Sequence, residues 1–500
     1  METVIVDGGP LSPEQVASVA LGEAKARASE DLERLLGPAR RLVDEAVESD
    51  EVVYGITTGF GALASTHIGR SEAEALQYNL LRSHATGLGD PMPDEIVRAM
   101  LLLRARTLSQ GHSGVRPLIV EKLLELLERE LLPVVPSQGS VGASGDLAPF
   151  AHLSLPLIGE GSVRQNGEIV ETSEVDFEAV HLLTKEGLSL LNGTEGMAAM
   201  GAIGLHHARN LILAADAAVS LTVEALLGSA RPFRPEIQAV RPHPGQVDSA
   251  RRISRLISGS EIVESHTDDF QHAVQDAYSL RCAPQVHGAV SDTLDHLERT
   301  LRIEMGSVVD NPIVFPETGE VLSGGNFHGE PLAFALDFSA IALSELASIS
   351  ERRTDRILDP ARSQGLPPFL AANPGVESGY MITQYLQAAL VAENRVLAHP
   401  ASVDSVPTSG GQEDHVSMGW GAGKKMLDIV TNVRRVLAVE ILCAVAGIEH
   451  RAPLHPGKGT GALVSAVREV VPPLTADRRP SPDIEAVAAM IEGGAIAELV

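Results

Sequence analysis

Residues 330–358, EPLAFALDFSAIALSELASISERRTDRIL, indicate the fold most directly. After Pro331 the segment contains neither glycine nor proline, and alanine, leucine, glutamate and arginine recur along it. These four residue types have high helix propensity, whereas glycine and proline interrupt helices. The segment therefore predicts one long helix.

Two further segments, His266–Gly306 and His415–His450, are compatible with long helices for the same reason, although Pro284 interrupts the first. Helices of this length bury their apolar faces by stacking along one another. Strand signals are short and weak, at Val163–Val170 and Pro312–Val321. We therefore expect a mainly α fold, built as a bundle of long antiparallel helices.

Composition and charge exclude several classes of protein. The 500 residues include 66 acidic and 39 basic side chains, and the net charge of −27 disfavours binding to nucleic acid or to an anionic membrane. The two cysteines, Cys282 and Cys443, cannot form a disulfide scaffold and suit a reducing cytoplasm. The first residues lack the pattern of a secretory signal, and Leu211–Gly228, interrupted by Asp216 and Glu224, predicts a buried helix rather than a membrane span.

Gly-rich joints separate the predicted helices, and the most informative one is Gly139–Asp146, which reads GSVGASGD. It matches neither G-x-G-x-x-G nor G-x-x-x-x-G-K-[ST], the patterns of phosphate-binding loops. It also lacks the G-x-S-x-G pattern of a nucleophile elbow. By composition alone, a plain flexible loop is the simplest interpretation.

The surrounding residues change that interpretation. Ala143-Ser144-Gly145, preceded by Gly142 and followed by Asp146-Leu147-Ala148-Pro149, resembles the signature of the histidine/phenylalanine ammonia-lyase family, whose fold is that of the ammonia-lyase/fumarase-like superfamily. In that family the tripeptide cyclises and loses water, giving a methylidene-imidazolone (MIO) prosthetic group. The resemblance implies that this MIO group forms autocatalytically here, without pyridoxal phosphate. Gly145, which has no Cβ, lets its nitrogen reach the Ala143 carbonyl, and Ser144 supplies the hydroxyl that leaves.

Two N-terminal segments also match the family. Tyr54-Gly55-Ile56-Thr57-Thr58-Gly59-Phe60-Gly61 matches its tyrosine loop, so Tyr54 would remove the β-proton of the substrate, provided that neighbours lower its pKa from about 10. Asn79-Leu80-Leu81-Arg82-Ser83-His84 matches the substrate-selectivity segment. Members that act on histidine carry Ser-His at its end, and there His84 would contact the substrate imidazole.

Three more motifs supply candidate site residues. Asn192, in a segment similar to the family's Asn-Gly-Thr-Gln motif, would hydrogen-bond the prosthetic group or the substrate amine, while Glu195 stands where glutamine is common and its role stays open. Phe327 would line the pocket. Glu413 fits the pattern of the histidine-specific members, because a carboxylate can pair with an imidazole N–H or an ammonium group.

Gln275, Tyr278 and Arg281 step by three residues. In a helix they would present an amide, a phenol and a guanidinium on one face, and we expect them inside the long helix that starts near His266. The resemblance implies that Arg281 binds the substrate carboxylate and that Gln275 and Tyr278 lie beside the prosthetic group.

The histidines and aspartates of residues 266–272 match no common zinc spacing, and we expect no metal. The resemblance implies a cytoplasmic homotetramer whose active sites draw on several subunits. It would convert L-histidine into trans-urocanate and ammonia, the first step of histidine degradation. We divide the chain into an N-terminal part, 1–195, that carries the MIO loop and a long-helix part, 196–500. Two alternatives stay open: a lyase or 2,3-aminomutase acting on phenylalanine or tyrosine, and a non-catalytic helical assembly protein.

Overall fold

The structure is a computed structural model that describes residues 2–49, 58, 70–266 and 275–500. This part of the chain is mainly helical with few, short strands, which confirms the predicted fold class. The helices are, in chain order, α1 (Pro13–Ala20), α2 (Leu32–Glu48), α3 (Arg70–His84), α4 (Asp94–Leu108), α5 (Pro117–Glu128), α6 (Leu147–Ser154), α7 (Glu186–Leu191), α8 (Glu195–Ala225), α9 (Pro235–Ala239), α10 (Pro244–Leu256), α11 (Glu261–Glu264), α12 (Tyr278–Arg281), α13 (Ala283–Glu304), α14 (Glu330–Leu358), α15 (Met381–Leu397), α16 (Gly419–Glu449), α17 (Lys458–Val470) and α18 (Ser481–Glu492).

The strands form small separate sheets. They are β1 (Glu2–Val6), β2 (Ala24–Ala28), β3 (Leu88–Pro91), β4 (Leu132–Pro133), β5 (Pro136–Gln138), β6 (Ser162–Gln165), β7 (Glu168–Glu171), β8 (Ile313–Phe315) and β9 (Glu320–Leu322). Strands β1 and β2 are parallel, whereas β6–β7 and β8–β9 are antiparallel hairpins at the two places where the sequence predicts strands.

Two compact units make up the chain. The first comprises residues 1–206, 297–337 and 400–424, and the second comprises residues 207–296, 338–399 and 425–500. Helices α8, α13, α14 and α16 contain residues of both units. The sequence-based division after residue 195 stays a prediction.

Local sequence accounts for several helix boundaries. Helix α14 spans Glu330–Leu358, as predicted. Helix α1 begins with a capping box, in which the Ser12 hydroxyl accepts from the Gln15 amide and the Gln15 side chain accepts from the Ser12 N–H. Helix α16 starts only at Gly419, because the preceding Met418 has a left-handed φ of 58°.

The predicted helix around Gln275 is wrong in part. Residues 275–277 are not helical, α12 covers only Tyr278–Arg281, and a separate helix α13 starts at Ala283. Pro284 explains the break, since its ring would clash with the Leu280 carbonyl in a continuous helix, whereas proline is tolerated in a first turn. Gln275 therefore does not share a helix face with Tyr278 and Arg281.

Helix α4 forms the centre of the first unit, because it packs between α1 and α5 and almost every residue along it is buried. The buried residues include Arg104 and Arg106, and the Arg106 guanidinium donates to the carbonyls of Gly9, Gly306 and Ser307. A guanidinium can be buried when its N–H groups are satisfied in this way. Helix α4 thereby carries a charged group into the interior.

Among the described helices, α14 is long and apolar enough to cross a bilayer by length and composition, and 61% of its most apolar segment is buried within the protein. Such burial is typical of the core helix of a globular protein.

Candidate active site

The Ala143-Ser144-Gly145 tripeptide lies in a tight turn. The Gly145 N–H lies 3.3 Å from the Gly142 carbonyl oxygen, and Ser144 and Gly145 have positive φ angles of 52° and 82°. Positive φ is costly for serine and easy for glycine, so the surrounding contacts must hold Ser144 in place. The chain is thus folded back sharply beside Ala143.

A second segment clamps this turn from one side. The Asp146 N–H donates to the Gly193 carbonyl at 2.8 Å, and the Gly193 N–H donates to the Ser144 carbonyl at 3.2 Å. The two backbones are so close that a Cβ on Gly145 would lie 1.9 Å from the Gly193 oxygen. Only glycine fits at position 145, independently of any role in cyclisation.

A third segment, just before α16, closes the turn from another direction. The Met418 N–H donates to the Val141 carbonyl at 2.9 Å, and a Cβ on Gly142 would lie 2.1 Å from the Ser417 hydroxyl. The tripeptide is therefore held by segments distant in sequence on both sides.

The buried carboxyl of Asp146 organises the C-terminal end of the turn. It accepts from the Met197 N–H at 2.9 Å and from the Ser140 hydroxyl at 3.3 Å. Burial raises the pKa of Asp146 to about 7, and the nearby Glu195 carboxylate adds to the shift.

Asn192 lies at the end of α7, directly before Gly193, and both its main chain and its side chain form hydrogen bonds. Its main-chain oxygen accepts from the Arg104 guanidinium at 2.6 Å, and its side-chain Nδ2 donates to the Asn311 carbonyl at 2.8 Å. The sequence did not indicate a role for Asn311. Its side-chain oxygen also accepts from the N–H of Gly324, so it links Asn192 to the loop that leads to Phe327.

Glu195, whose role the sequence left open, forms a buried ion pair. Its carboxylate lies 2.7 Å from the Arg104 guanidinium, and both side chains are almost completely buried. The Arg104 guanidinium also stacks on the Phe150 ring, 4.3 Å from its centroid. Burial raises the pKa of Glu195, although the charge of Arg104 opposes the shift. Glu195 therefore has a structural role as the ion-pair partner of Arg104.

His84 and the tripeptide line the same cavity. This cavity of about 190 Å³ is bordered by His84, by Ala143 and Gly145, and by Ser140 and Leu147 of the same loop and helix α6. The His84 Nδ1 lies 2.9 Å from the Leu80 carbonyl, which assigns the proton to Nδ1 and leaves Nε2 as an acceptor in the neutral ring.

Glu413 approaches the tripeptide from the loop before α16. One of its carboxylate oxygens, Oε1, lies 3.5 Å from the Ser144 hydroxyl, and the other, Oε2, accepts from the Thr408 hydroxyl at 2.9 Å. The structure thus brings Glu413, His84 and the tripeptide into one region of the first unit.

Phe327 is half-buried in a loop of the same unit. The next residue, His328, contacts His415, which follows Glu413 in the chain. The His328 Nε2 lies 3.2 Å from the His415 carbonyl oxygen, and the two imidazole rings are stacked. Potential metal-ligand atoms of His328, Glu330 and His415 lie within 4.8 Å of one another. The sequence reasoning missed this group, because its members come from separate segments without a zinc-type spacing. The expected absence of a metal stays a prediction.

Gln275, Tyr278 and Arg281 lie in the second unit. All three border one cavity of about 330 Å³ there, together with Arg356 and Arg362. The Arg281 guanidinium lies over the Tyr278 ring, 4.5 Å from its centroid, and donates to the Asp276 carbonyl. Tyr278 is 72% exposed as a residue, so it is accessible to a ligand or to another chain. Tyr54 lies outside the described residues.

The residues of the first unit fit a cyclised tripeptide. Gly145 lacks the Cβ that would obstruct the fold, the sharp turn reverses the chain beside Ala143, and the Ser144 hydroxyl faces a carboxylate. An imidazole and a carboxylate nearby can recognise a polar ring that carries N–H groups. Chemically, the arrangement combines a built-in reactive turn with a ring-recognition pocket.

The chain is similar to known proteins over most of its length. The sequence model of the aromatic amino acid lyase family matches residues 11–469. The histidine ammonia-lyase of Deinococcus radiodurans is 52% identical over 95% of this chain and 91% of its own.

Two solved structures extend the comparison. The crystal structure of histidine ammonia-lyase from Trypanosoma cruzi has a TM-score of 0.92 and 40% identity, and the match covers 100% of this chain and 95% of that one. A tyrosine aminomutase from Streptomyces globisporus has a TM-score of 0.93 and 38% identity, over 99% and 98% of the two chains. The fold alone thus does not separate a lyase from an aminomutase, and the site residues must do so.

Proposed function

The chain belongs to the aromatic amino acid lyase family, and on that premise we propose that it eliminates ammonia from L-histidine to give trans-urocanate. One observation carries the choice of substrate. His84 borders the same cavity as Ala143 and Gly145, and the Glu413 carboxylate reaches the Ser144 hydroxyl of that tripeptide. An imidazole and a carboxylate can pair with the ring nitrogens of histidine, whereas the apolar ring of phenylalanine offers neither of them a partner.

The prosthetic group proposed for this site is MIO, formed autocatalytically from Ala143-Ser144-Gly145. When present, it supplies an electrophile that no ordinary side chain provides. The residues that would hold it are Gly193, through its hydrogen bonds with the Ser144 carbonyl and the Asp146 N–H, and Ser417 and Met418, which enclose Gly142.

Each remaining site residue has a proposed task. Tyr54 accepts the β-proton, a step that requires a lowered phenol pKa. Arg281 binds the substrate carboxylate through its planar guanidinium, and Gln275 and Tyr278 lie beside the reacting centre. Asn192 hydrogen-bonds the amine or the prosthetic group, which suits a side chain immobilised by Asn311.

We propose a homotetramer with active sites shared between subunits. Helix α14 supports this, because Phe334, Phe338 and Ile341 lie on one face and are each more than two-fifths exposed. Residues spaced by four and three share a helix face, and exposed apolar stripes of this kind mark protein interfaces. Neither nucleic acid nor a membrane is a proposed partner, and the cytoplasm is the proposed location.

The experiment that tests the function is an ultraviolet assay for urocanate with L-histidine, run beside phenylalanine and tyrosine. We expect absorbance to rise with histidine alone. Activity on phenylalanine or tyrosine but not on histidine would overturn the choice of substrate. A β-amino acid product without release of ammonia would instead identify an aminomutase.

A further inference from the structure

Glu413 follows a tight turn that starts at Thr408. The Thr408 N–H donates to the Glu413 carbonyl at 2.8 Å, and the Glu413 N–H lies 3.3 Å from the Thr408 carbonyl. Between them Ser409, Gly410 and Gly411 all have positive φ angles, which reverse the chain within a few residues. Thr408 and Glu413 are thereby held side by side as a pair.

The Thr408 hydroxyl donates to one defined oxygen of the Glu413 side chain. It lies 2.9 Å from Oε2 and 3.4 Å from the Glu413 main-chain oxygen. A hydroxyl has a single hydrogen, and the shorter contact to a charged acceptor is the stronger one. The other carboxylate oxygen, Oε1, points to the Ser144 hydroxyl at 3.5 Å.

The two carboxylate oxygens of Glu413 have different partners, and this affects their orientation because a glutamate carboxylate rotates easily. The torsion next to the carboxylate is broad, so without a donor both oxygens sample many directions. A donor on Oε2 restricts the rotation and keeps Oε1 directed toward the tripeptide. Ser144 and Thr408 are the hydrogen-bond partners of this carboxylate in the described part of the chain.

We propose that Thr408 is a positioning residue for substrate recognition, which orients the Glu413 carboxylate for the imidazole of the substrate. This inference rests on the proposed function. Thr408 itself acts through Glu413 rather than on the reacting atoms. Because Glu413 recognises the ring before and during the reaction, a loss of its orientation weakens substrate binding more than it slows turnover.

The test replaces Thr408 with valine, which keeps the β-branched shape but removes the donor. We expect Thr408→Val to raise KM for L-histidine about three- to tenfold, the effect of one hydrogen bond, with little change in kcat. Thr408→Ser restores the donor and is expected to return KM to nearly the wild-type value. Thr293→Val serves as a matched control, since that threonine is half-buried like Thr408 and its hydroxyl bonds the Ala289 carbonyl within α13.

A second measurement separates positioning from a general structural effect. In a Glu413→Gln background, Thr408→Val should raise KM by much less than it does in the wild-type background, because the charged acceptor is already gone. Thermal unfolding of each variant checks that the fold is retained.

Three results would overturn the inference: an unchanged KM in Thr408→Val, a Thr408→Ser variant as impaired as the valine variant, or the same KM increase in both backgrounds. Each of them leaves the proposed function intact if the wild-type protein produces urocanate. A wild-type protein that does not act on histidine would contradict the proposed function itself.

Discussion

Gly145 and Gly193 form an isolated β-bridge, and their backbones are so close that a Cβ on Gly145 would lie 1.9 Å from the Gly193 carbonyl oxygen. This approach places the end of the tripeptide against the segment that carries Asn192. It explains in steric terms why position 145 needs glycine, whereas a Cβ on Gly193 would lie 2.1 Å from the Glu195 carboxylate and 2.4 Å from the Arg104 guanidinium.

The first prediction follows from that contact. Gly145→Ala is expected to lower the melting temperature and to prevent the native turn, because backbone atoms cannot move aside as a flexible side chain can. Gly167→Ala is the matched control: its φ of 84° is almost the same, but a Cβ there would meet nothing within 4 Å. Equal losses of melting temperature in the two variants would show that the positive φ, not the contact, is responsible.

Ser144→Ala is expected to abolish urocanate formation while the protein still folds, because alanine has no hydroxyl to lose in forming the prosthetic group. The intact mass of the wild-type protein should fall short of the sequence mass by two water molecules, and that of the variant should not show this deficit. A variant with full activity would contradict the role assigned to Ser144.

Removing one partner of the buried ion pair between Arg104 and Glu195 should strongly destabilise the folded protein. Arg104→Met leaves the Glu195 carboxylate buried without its cation and is expected to reduce the free energy of unfolding by about 3–5 kcal/mol.

Replacing both partners, Arg104→Met with Glu195→Leu, should restore most of that loss, as measured by chemical denaturation, since neither charge is then buried. Activity should stay low, because the main-chain oxygen of Asn192 has lost the donor from Arg104. A double variant as unstable as the single one would show that packing, not charge, dominates.

The raised pKa of Asp146 predicts that the stability of the folded protein depends on pH. Its pKa in the folded protein, about 7, lies above the value of about 3.9 expected in the unfolded chain. Between these values the folded state binds a proton that the unfolded state does not, so the free energy of unfolding should fall as pH rises from about 4 to about 7.

The melting temperature measured across that pH range checks the effect of Asp146. The pKa values of Glu195 and Glu304 are also raised by burial, so the wild-type slope contains their contributions too. Asp146→Asn removes the titration of Asp146 and its charge interaction with Glu195, so the fall in melting temperature with rising pH should become shallower. Identical slopes in wild type and variant would rule out the assigned shift.

Chelation tests the expectation that no metal is required. Since the proposed prosthetic group is organic, dialysis against EDTA should leave kcat/KM for histidine unchanged. Loss of activity that Zn²⁺ restores would contradict this, and His415→Gln would then show whether the group of His328, Glu330 and His415 is the site involved.

Local sequence predicted the long helices well where no breaker lies inside them. The boundaries of α14 follow from helix propensity over the whole segment, and those of α1 from its capping residues. The segment from Gln275 to Arg281 was predicted incorrectly in its first part, because a regular spacing of polar residues suits a helix face, whereas Ala277 is extended and the helix begins only at Tyr278. Periodicity describes a preference, and Pro284 further separates α12 from α13.

The sequence by itself determined the chemical groups available: the Ala-Ser-Gly turn, the histidine and glutamate of the recognition pocket, and the helices that carry them. These depend on residue identity and on interactions over a few residues. Only the tertiary structure decided that Glu413 meets Ser144 across 269 positions and that Arg104 pairs with Glu195. Such pairs depend on how distant helices pack, and packing is a property of the whole core rather than of any segment.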